Sequence, residues 1–292
     1  MVVVNDIVII DRSVDSFVVD LWGLSGLTYV DMTLTARIFN QSSRTQYIKA
    51  VIVSPTDGTY TFDNGTSEVQ LGAINPFWYS DFKLILRRNS IPSAGQVDTV
   101  TIRFESYKDD TYSTLVDSVT KTYTIEFEDF SAPVNYVVDI LDEFDDGSAP
   151  NWSGGTVTDR ASVRAGGYSY VLDAGDSNVT KTAVKTFDVP SGSKVVVLFY
   201  YAIRLDSKSS YTDWMYIKDY QVKLNDNILY QVDGYFRYSK PDLFEGWFQQ
   251  GFDITQYAGT LGAQFSISAY FADEYAADKE LFIDRFIVAH KP

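Results

Sequence analysis

Three neighbouring segments near the C-terminus constrain the fold more than any other part of the chain. GWFQQGFD (246–253) is rich in aromatic residues, AQFSISAYF (263–271) alternates apolar and polar side chains, and LFIDRFIV (281–288) is an apolar run broken by one Asp. Period-two alternation is typical of a strand buried on one face, and a short apolar run is typical of a strand buried on both faces. DITQYAG (253–259) leaves room for only a one-turn corner. These segments therefore predict three consecutive strands of a β-sandwich.

The composition agrees with a β-protein. The chain has 292 residues, enough for two domains, and contains 21 Tyr, 19 Phe and 5 Trp. Aromatic and β-branched residues fit pleated, half-buried surfaces. Because the chain has no Cys, disulfides, thiolate metal sites and a Cys nucleophile are excluded.

The first half of the chain predicts one sandwich, over residues 1–131. MTLTARIF (32–39), YIKAVIV (47–53), DTVTIRFES (98–106) and TKTYTIEFE (120–128) read as strands, and no helical pattern separates them. Short strands at this spacing favour an immunoglobulin-like sandwich. The string LTARIFNQSSRTQYIKAVIV (34–53) also resembles the paired strands of CARDB-like surface domains, a resemblance that implies a spacer or an interaction module.

The second half, residues 132–292, predicts a second sandwich. Its boundary lies near Pro133, and LDEFDDGSAPNW (141–152) then begins an acidic segment. Together with RAGGYSYVLD (164–173) and the C-terminal strands, this segment resembles galactose-binding-like jelly rolls and carbohydrate-binding modules. The resemblance rests on Glu143, Phe144, Gly147 and Trp152 in the first segment. The expected fold class is all-β, with two tandem β-sandwiches, the first immunoglobulin-like and the second a jelly roll.

Charge and targeting patterns limit the partners and the location. The formal net charge is −15, and no clustered basic surface suited to nucleic acid is evident. MVVVNDIVII (1–10) lacks the basic start of a secretory signal, and Asp6 interrupts it before the ~20 apolar residues that a membrane span needs. It predicts a first strand, with no signal peptide and no membrane insertion.

Four N-x-S/T sequons favour an exterior surface. Their acceptor residues are Asn40, Asn64, Asn151 and Asn178. Either a signal has been removed, or the protein is made in the cytosol and reaches an exterior by assembly, as virion proteins do.

Most catalytic chemistries lack their residues in this chain. The one His, His290, lies next to the C-terminus, so a Ser-His-Asp or Cys-His arrangement and a zinc site are excluded. Two-carboxylate glycoside hydrolysis needs only acids at a suitable separation. Its candidates, which also suit a solvated surface, are Glu245, Asp253, Asp273 and Glu274. We expect no enzymatic activity.

Calcium is the one cofactor that the resemblance suggests. In the jelly-roll family a structural Ca²⁺ joins the first strand to the last, which implies Glu143, Asp145 and Asp284 as ligands here, since calcium prefers oxygen ligands. Asp284 interrupts a strand that is otherwise apolar, and a buried carboxylate without a partner is costly. The alternative is that Asp284 pairs with an arginine such as Arg164 or lies at the sheet margin.

Aromatic residues in two polar segments predict a binding surface. KSSYTDWMY (208–216) carries Tyr211, Asp213 and Trp214, and DGYFRYSKPD (233–242) carries Tyr235, Arg237 and Tyr238. An aromatic ring stacks on the apolar face of a sugar, and polar neighbours bind its hydroxyls. The alternative is that these rings pack across strands.

Together these features predict a non-enzymatic exterior protein. The expected setting is a virion surface, as a turret, spike or fibre, with partners among copies of itself, capsid or surface proteins, a glycan or a host receptor. The alternative functions are a secreted or cell-surface carbohydrate-binding protein and, third, a glycoside hydrolase.

Overall fold

The computed structural model describes residues 7–10, 16–22, 24, 27–159, 167–207, 215–238, 243–272 and 276–292. The chain divides into two compact units, Met1–Val134 and Asn135–Pro292. The boundary expected from the sequence, between residues 131 and 132, falls three residues before this division.

Two sheets form the N-terminal unit. Its described strands are β1 (Ile7–Ile10), β2 (Ser16–Asp20), β3 (Val30–Asn40), β4 (Gln46–Ser54), β5 (Tyr60–Phe62), β6 (Glu68–Ile74), β7 (Tyr79–Arg88), β8 (Val97–Tyr107) and β9 (Leu115–Glu128). One sheet has the order β1-β3-β7-β5 and the other β2-β9-β8-β4-β6, with β2 parallel to β9. The first order corresponds to A-B-E-D of the immunoglobulin fold, and the second contains its C-F-G strands. The unit is therefore a β-sandwich, and its strand order supports the immunoglobulin-like arrangement predicted from the sequence.

Strand β3 follows the predicted alternation. Four residues on one face are at most 5 % exposed and belong to the core between the sheets: Met32, Leu34, Ala36 and Ile38. Burying one such aliphatic side chain favours folding by about 1.5–3 kcal/mol. Arg37, on the other face, is also buried, and its guanidinium lies 4.4 Å from the ring centroid of Tyr79.

A polar network links the two sheets. The hydroxyl of Tyr60 in β5 donates to Asp98 Oδ2 in β8 at 2.5 Å. Arg88 Nε in β7 donates to the same oxygen at 2.9 Å, and Gln96 Nε2 donates to Oδ1 at 2.8 Å. Burial alone raises the pKa of Asp98, but the hydrogen bonds from Tyr60, Arg88 and Gln96 outweigh it and hold the pKa below the ordinary value.

The C-terminal unit is also a sandwich of two sheets. Its strands are β10 (Val137–Asp142), β11 (Trp152–Ser153), β12 (Thr156–Thr158), β13 (Ser169–Asp173), β14 (Val179–Phe187), β15 (Lys194–Ser207), β16 (Met215–Leu224), β17 (Asn227–Tyr238), β18 (Leu243–Asp253), β19 (Ala263–Ala272) and β20 (Ala276–Lys291). The six-stranded sheet has the order β12-β13-β20-β15-β18, with β10 also paired to β20, and the five-stranded sheet is β11-β14-β19-β16-β17. The predicted corner is a one-turn 3₁₀ helix, Thr255–Tyr257. This antiparallel two-sheet arrangement agrees with the predicted jelly roll.

The two central strands of the six-stranded sheet are buried on both faces. Residues 195–203 of β15 and 281–289 of β20 are at most 7 % exposed. This burial confirms that the apolar run 281–288 is a core strand. Within the described ranges, no helix has the length and apolar character needed to cross a membrane.

A cluster of aromatic side chains packs around Trp152 near the start of the C-terminal unit. Trp152 contacts Phe144 and Phe286, with ring centroids 5.8 and 5.2 Å apart. Its Nε1 donates to Asp142 Oδ2 at 2.7 Å, and Lys185 Nζ lies 2.7 Å from the same oxygen. Phe144 and Trp152, two of the residues that carried the family resemblance, therefore hold the sandwich together.

Candidate functional site

Backbone pairing brings the two predicted binding segments to one end of the C-terminal unit. Met215 lies opposite Tyr238 at the β16–β17 pairing, so the start of β16 and the end of β17 adjoin. Leu205 of β15 lies opposite Leu243 of β18, so the end of β15 and the start of β18 also adjoin.

Two further strand ends lie beside these. Tyr216 is opposite Ala272 and Ser207 is opposite Ala276, so the end of β19 and the start of β20 adjoin the same strands. We refer to the described residues at these six strand ends, 205–207, 215–216, 235–238, 243, 272 and 276, together as the loop end.

The predicted binding residues form two groups in the sequence. Tyr211, Asp213 and Trp214 fall in 208–214, outside the described residues. The second group, Tyr235, Arg237 and Tyr238, lies within the last four residues of β17. There Tyr235 pairs with Lys218, and Arg237 pairs with Tyr216. The fold thus brings together, at the level of the backbone, segments separated by about twenty residues of sequence.

Described polar side chains also lie close to the loop end. Arg204 Nη1 lies 3.3 Å from Glu280 Oε2, and Lys279 Nζ donates to Asn178 Oδ1 at 3.0 Å. Arg204 is opposite Glu280 in the β15–β20 pairing, two residue pairs before Asp206. Charged and amide groups therefore accompany the aromatic segments.

The four carboxylates considered for glycoside hydrolysis do not form one group. Asp253 lies opposite Val196, at the other end of β18 from Glu245, and its Oδ1 accepts hydrogen bonds from the N and Oγ1 of Thr255. At about 3.3 Å per residue, these two backbone positions are roughly 26 Å apart, too far for two carboxylates acting on one bond. Asp273 and Glu274 lie outside the described residues.

Two of the three acidic residues suggested as calcium ligands, Glu143 and Asp284, accept hydrogen bonds from Arg285. Glu143 follows β10, which pairs with β20, and Arg285 Nη1 donates to Glu143 Oε1. Asp145 Oδ1 accepts a hydrogen bond from Gly167 N at 3.0 Å, and Asp284 Oδ1 accepts one from Arg285 N at 2.7 Å. No group of three or more Asp, Glu or His side chains suited to a metal occurs in the described part of the chain. Calcium therefore stays a prediction, and Arg164, the suggested partner of Asp284, lies outside the described residues.

A β-bulge explains how Asp284 is accommodated. Leu198 pairs with Ile287 and Tyr200 with Asp284, so two residues of β20 lie opposite the single residue Phe199. One of them, Arg285, has φ 43°. The extra residue shifts the alternation, so Asp284 and Phe286 do not share a face as they would in a regular strand.

Three of the four predicted glycosylation sites are exposed. They are Asn64, Asn151 and Asn178. Asn40 is fully buried, and its Nδ2 donates to the carbonyls of Arg44, Ile74 and Asn75 at 2.8, 3.0 and 3.2 Å. The prediction of Asn40 as a glycosylation site is therefore corrected, because its amide is a buried structural donor in the folded protein.

The only histidine has a structural contact. His290 Nδ1 lies 2.7 Å from Asp139 Oδ2, which joins β20 to β10.

Exposed aromatic residues of the β6–β7 turn, Phe77 and Trp78, were not predicted from the sequence. Their only local signal is the run NPFWY (75–79) after a strand.

No family model and no curated protein matches the sequence. Among solved structures, the secreted serine protease VesC from Vibrio cholerae is similar over 90 % of this chain and 48 % of its own, with 13 % identity and a TM-score of 0.26. A xylan-binding carbohydrate-binding module from Paenibacillus barcinonensis matches over 55 % of this chain and 99 % of its own, with 14 % identity and a TM-score of 0.34. A cleaved adhesin domain of Lys-gingipain from Porphyromonas gingivalis matches over 52 % and 98 %, with 12 % identity and a TM-score of 0.34.

The chain thus spans about half the length of VesC. Identities and TM-scores this low transfer no binding property to it. The resemblance of the N-terminal unit to CARDB-like domains stays a prediction. From its own strand order, the chain is an all-β protein built of two sandwiches.

Proposed function

We propose that this chain is a non-enzymatic surface protein that binds carbohydrate through the loop end of its C-terminal unit. The observation that supports the proposal is the pairing of Met215 with Tyr238. It joins the described end of the predicted segment 208–216 to the described part of the predicted segment 233–242.

The residue types of these two predicted segments suit a sugar. Trp214, Tyr211 and Tyr235 supply rings for the apolar face of a pyranose, while Asp213 and Arg237 supply an acceptor and donors for hydroxyls. Binding sites for small ligands combine apolar surface with a few polar groups in this way. Catalysis has less support, because Asp253 lies at the opposite end of its strand from Glu245.

The setting we propose is an exterior surface, that of a virion turret, spike or fibre. The exposed sequons at Asn64, Asn151 and Asn178 support an exterior setting. In this arrangement the immunoglobulin-like unit acts as a spacer or attaches to copies of the chain or to capsid proteins, and the jelly roll presents the loop end to a glycan on a host receptor.

A glycan array tests the binding proposal. The full chain should bind a defined subset of glycans, and Trp214→Ala should weaken binding about tenfold or more, since aromatic anchors carry much of the energy of a binding site. Leu261→Ala is the matched control, because Leu261 is 80 % exposed in the turn before β19, at the opposite end of the unit. Equal binding by wild type and Trp214→Ala, with the fold intact by circular dichroism, would contradict the proposal.

Light scattering tests the virion setting separately. A turret, spike or fibre should form a closed oligomer or bind a capsid base. A strict monomer with no affinity for capsid proteins, combined with retained glycan binding, would leave a secreted or cell-surface carbohydrate-binding protein as the function.

A further inference from the structure

A second exposed aromatic surface lies in the N-terminal unit. The turn between β6 and β7 presents Phe77 and Trp78, which are 62 % and 61 % exposed. Contiguous exposed apolar surface marks interaction sites and ligand-binding grooves more often than single exposed residues do. Neither residue belongs to the loop end, which lies in the other unit.

Hydrogen bonds hold this turn in a fixed shape. Trp78 N donates to Asn75 O at 3.2 Å, and Asn40 N donates to Trp78 O at 2.8 Å. The buried amide of Asn40 donates in addition to the carbonyls of Ile74 and Asn75. A surface that is ordered before binding loses less conformational entropy when the ligand arrives.

The backbone of the turn is strained in a way that displays the rings. Phe77 has φ 54°, a left-handed conformation that bulky residues rarely adopt. Glycine would adopt it without cost. Residues kept in such conformations concentrate at binding sites.

The Trp78 and Tyr79 rings stack on each other. They are parallel within 5°, with centroids 5.9 Å apart, and Arg37 lies 4.4 Å from the Tyr79 centroid. The cation therefore fixes Tyr79, and Tyr79 in turn orients the indole. We refer to the exposed rings of Phe77 and Trp78 as the platform.

Polar residues border the platform. Asn40 also donates to Arg44 O at 2.8 Å, which places the loop 41–45 beside the turn. Ser43, Arg44 and Asn75 in these two segments are exposed. They offer hydroxyl, guanidinium and amide groups next to the rings.

We propose that the turn 75–79 is a second carbohydrate-binding site, in which the apolar face of a pyranose ring stacks on Trp78 and the bordering polar groups bind its hydroxyls. The two exposed rings make a small apolar surface, whereas a stable protein interface buries about 800 Å² on each partner. A platform of this size matches one or two sugar units. The site is independent of the loop end, so each can fail alone.

Fluorine NMR of the full chain labelled with 5-fluorotryptophan tests the proposal. The chain has five Trp, and single Trp→Phe variants assign their resonances. The probes are soluble xylan, mannan, galactan and glucan, followed by any glycan bound on the array. We expect at least one probe to shift or broaden the Trp78 resonance, and Trp78→Ala to weaken binding of that probe about tenfold.

Phe77→Gly is a second variant that should keep the fold, because glycine adopts a positive φ without steric cost. The substitution also removes one of the two exposed rings. It should keep or raise the melting temperature and weaken binding. Leu115→Ala, which removes a 54 % exposed side chain from β9, should change neither binding nor the resonance.

Two outcomes would overturn the proposal. One is a Trp78 resonance that no probe or array glycan moves; the other is unchanged affinity in both Trp78→Ala and Phe77→Gly. If Trp214→Ala alone abolishes binding, the second site is refuted while the loop end stands. Capture of a protein through Trp78 without any glycan response would also refute it.

Discussion

Met215 lies directly opposite Tyr238 in the antiparallel pairing of β16 and β17. Trp214 precedes the first of these residues, so the two predicted binding segments meet at one backbone position. Residues that share a site give non-additive effects, with coupling energies of about 0.5–3 kcal/mol. We expect the double variant Trp214→Ala/Tyr238→Ala to lose less glycan affinity than the sum of the single losses, measured by titration calorimetry. Additive losses would place the two side chains in separate contacts.

The buried amide of Asn40 predicts which sequons carry glycans. In a glycosylating host, mass spectrometry of the folded protein should find glycans at Asn64, Asn151 or Asn178 and none at Asn40. A glycan on Asn40 would replace one of the two Nδ2 hydrogens, which bond the carbonyls of Arg44, Ile74 and Asn75. A folded fraction glycosylated at Asn40 would contradict this assignment.

The same contacts predict a stability effect. Asn40→Ala should destabilise the N-terminal unit by about 2–3 kcal/mol, because buried carbonyls lose their donors. Asn64→Ala is the control, since Asn64 is exposed. Urea unfolding measures both, and equal stability of the two variants would oppose the structural role of Asn40.

The junction between β10 and β20 is stabilised either by the ion pair between Arg285 and Glu143 or by the predicted calcium ion. If the arginine supplies the cation, Glu143→Gln should cost about 1–3 kcal/mol, and EDTA should leave the melting temperature of the wild type unchanged. Differential scanning calorimetry with and without EDTA and Ca²⁺ measures both effects. A melting temperature that rises with Ca²⁺ and falls with EDTA would instead support the predicted calcium site.

Asp98 predicts a loss of stability in acid. Its pKa in the folded protein lies below the ordinary 3.8, so its ionised form contributes stability above that pH, and the contribution is lost as the pH falls through the lower folded value. Asp98→Asn should therefore be less stable than wild type by about 1.5–3 kcal/mol at pH 7.

The difference between the two proteins should narrow below about pH 4. Urea unfolding of both proteins between pH 7 and about pH 2 checks this. A difference that does not change with pH would show that the charge of Asp98 is not the stabilising feature.

Local patterns were enough to predict the strands and the fold class. The alternation in β3 predicted that Met32, Leu34, Ala36 and Ile38 face the core. The run 281–288 predicted a strand buried on both faces. These predictions succeed because burial on one or both faces leaves a direct trace in the order of apolar residues.

Features that depend on distant contacts could not be predicted. The sequon at Asn40 is a three-residue motif, but its burial is fixed by carbonyls of Ile74 and Asn75 more than thirty residues away. The bulge at Arg285 has no local signal, because neither glycine nor proline marks it. The exposure of Trp78 depends likewise on how the β6–β7 turn is held.

Hydrogen–deuterium exchange of the full chain with a saturating array-selected glycan locates the binding surface. We expect protection to increase in peptides covering 208–216 and 233–242, the two predicted segments that pair at Met215 and Tyr238. Protection confined to the opposite end of the unit, at 225–228 and 258–262, or absent from the C-terminal unit, would contradict the proposed binding surface.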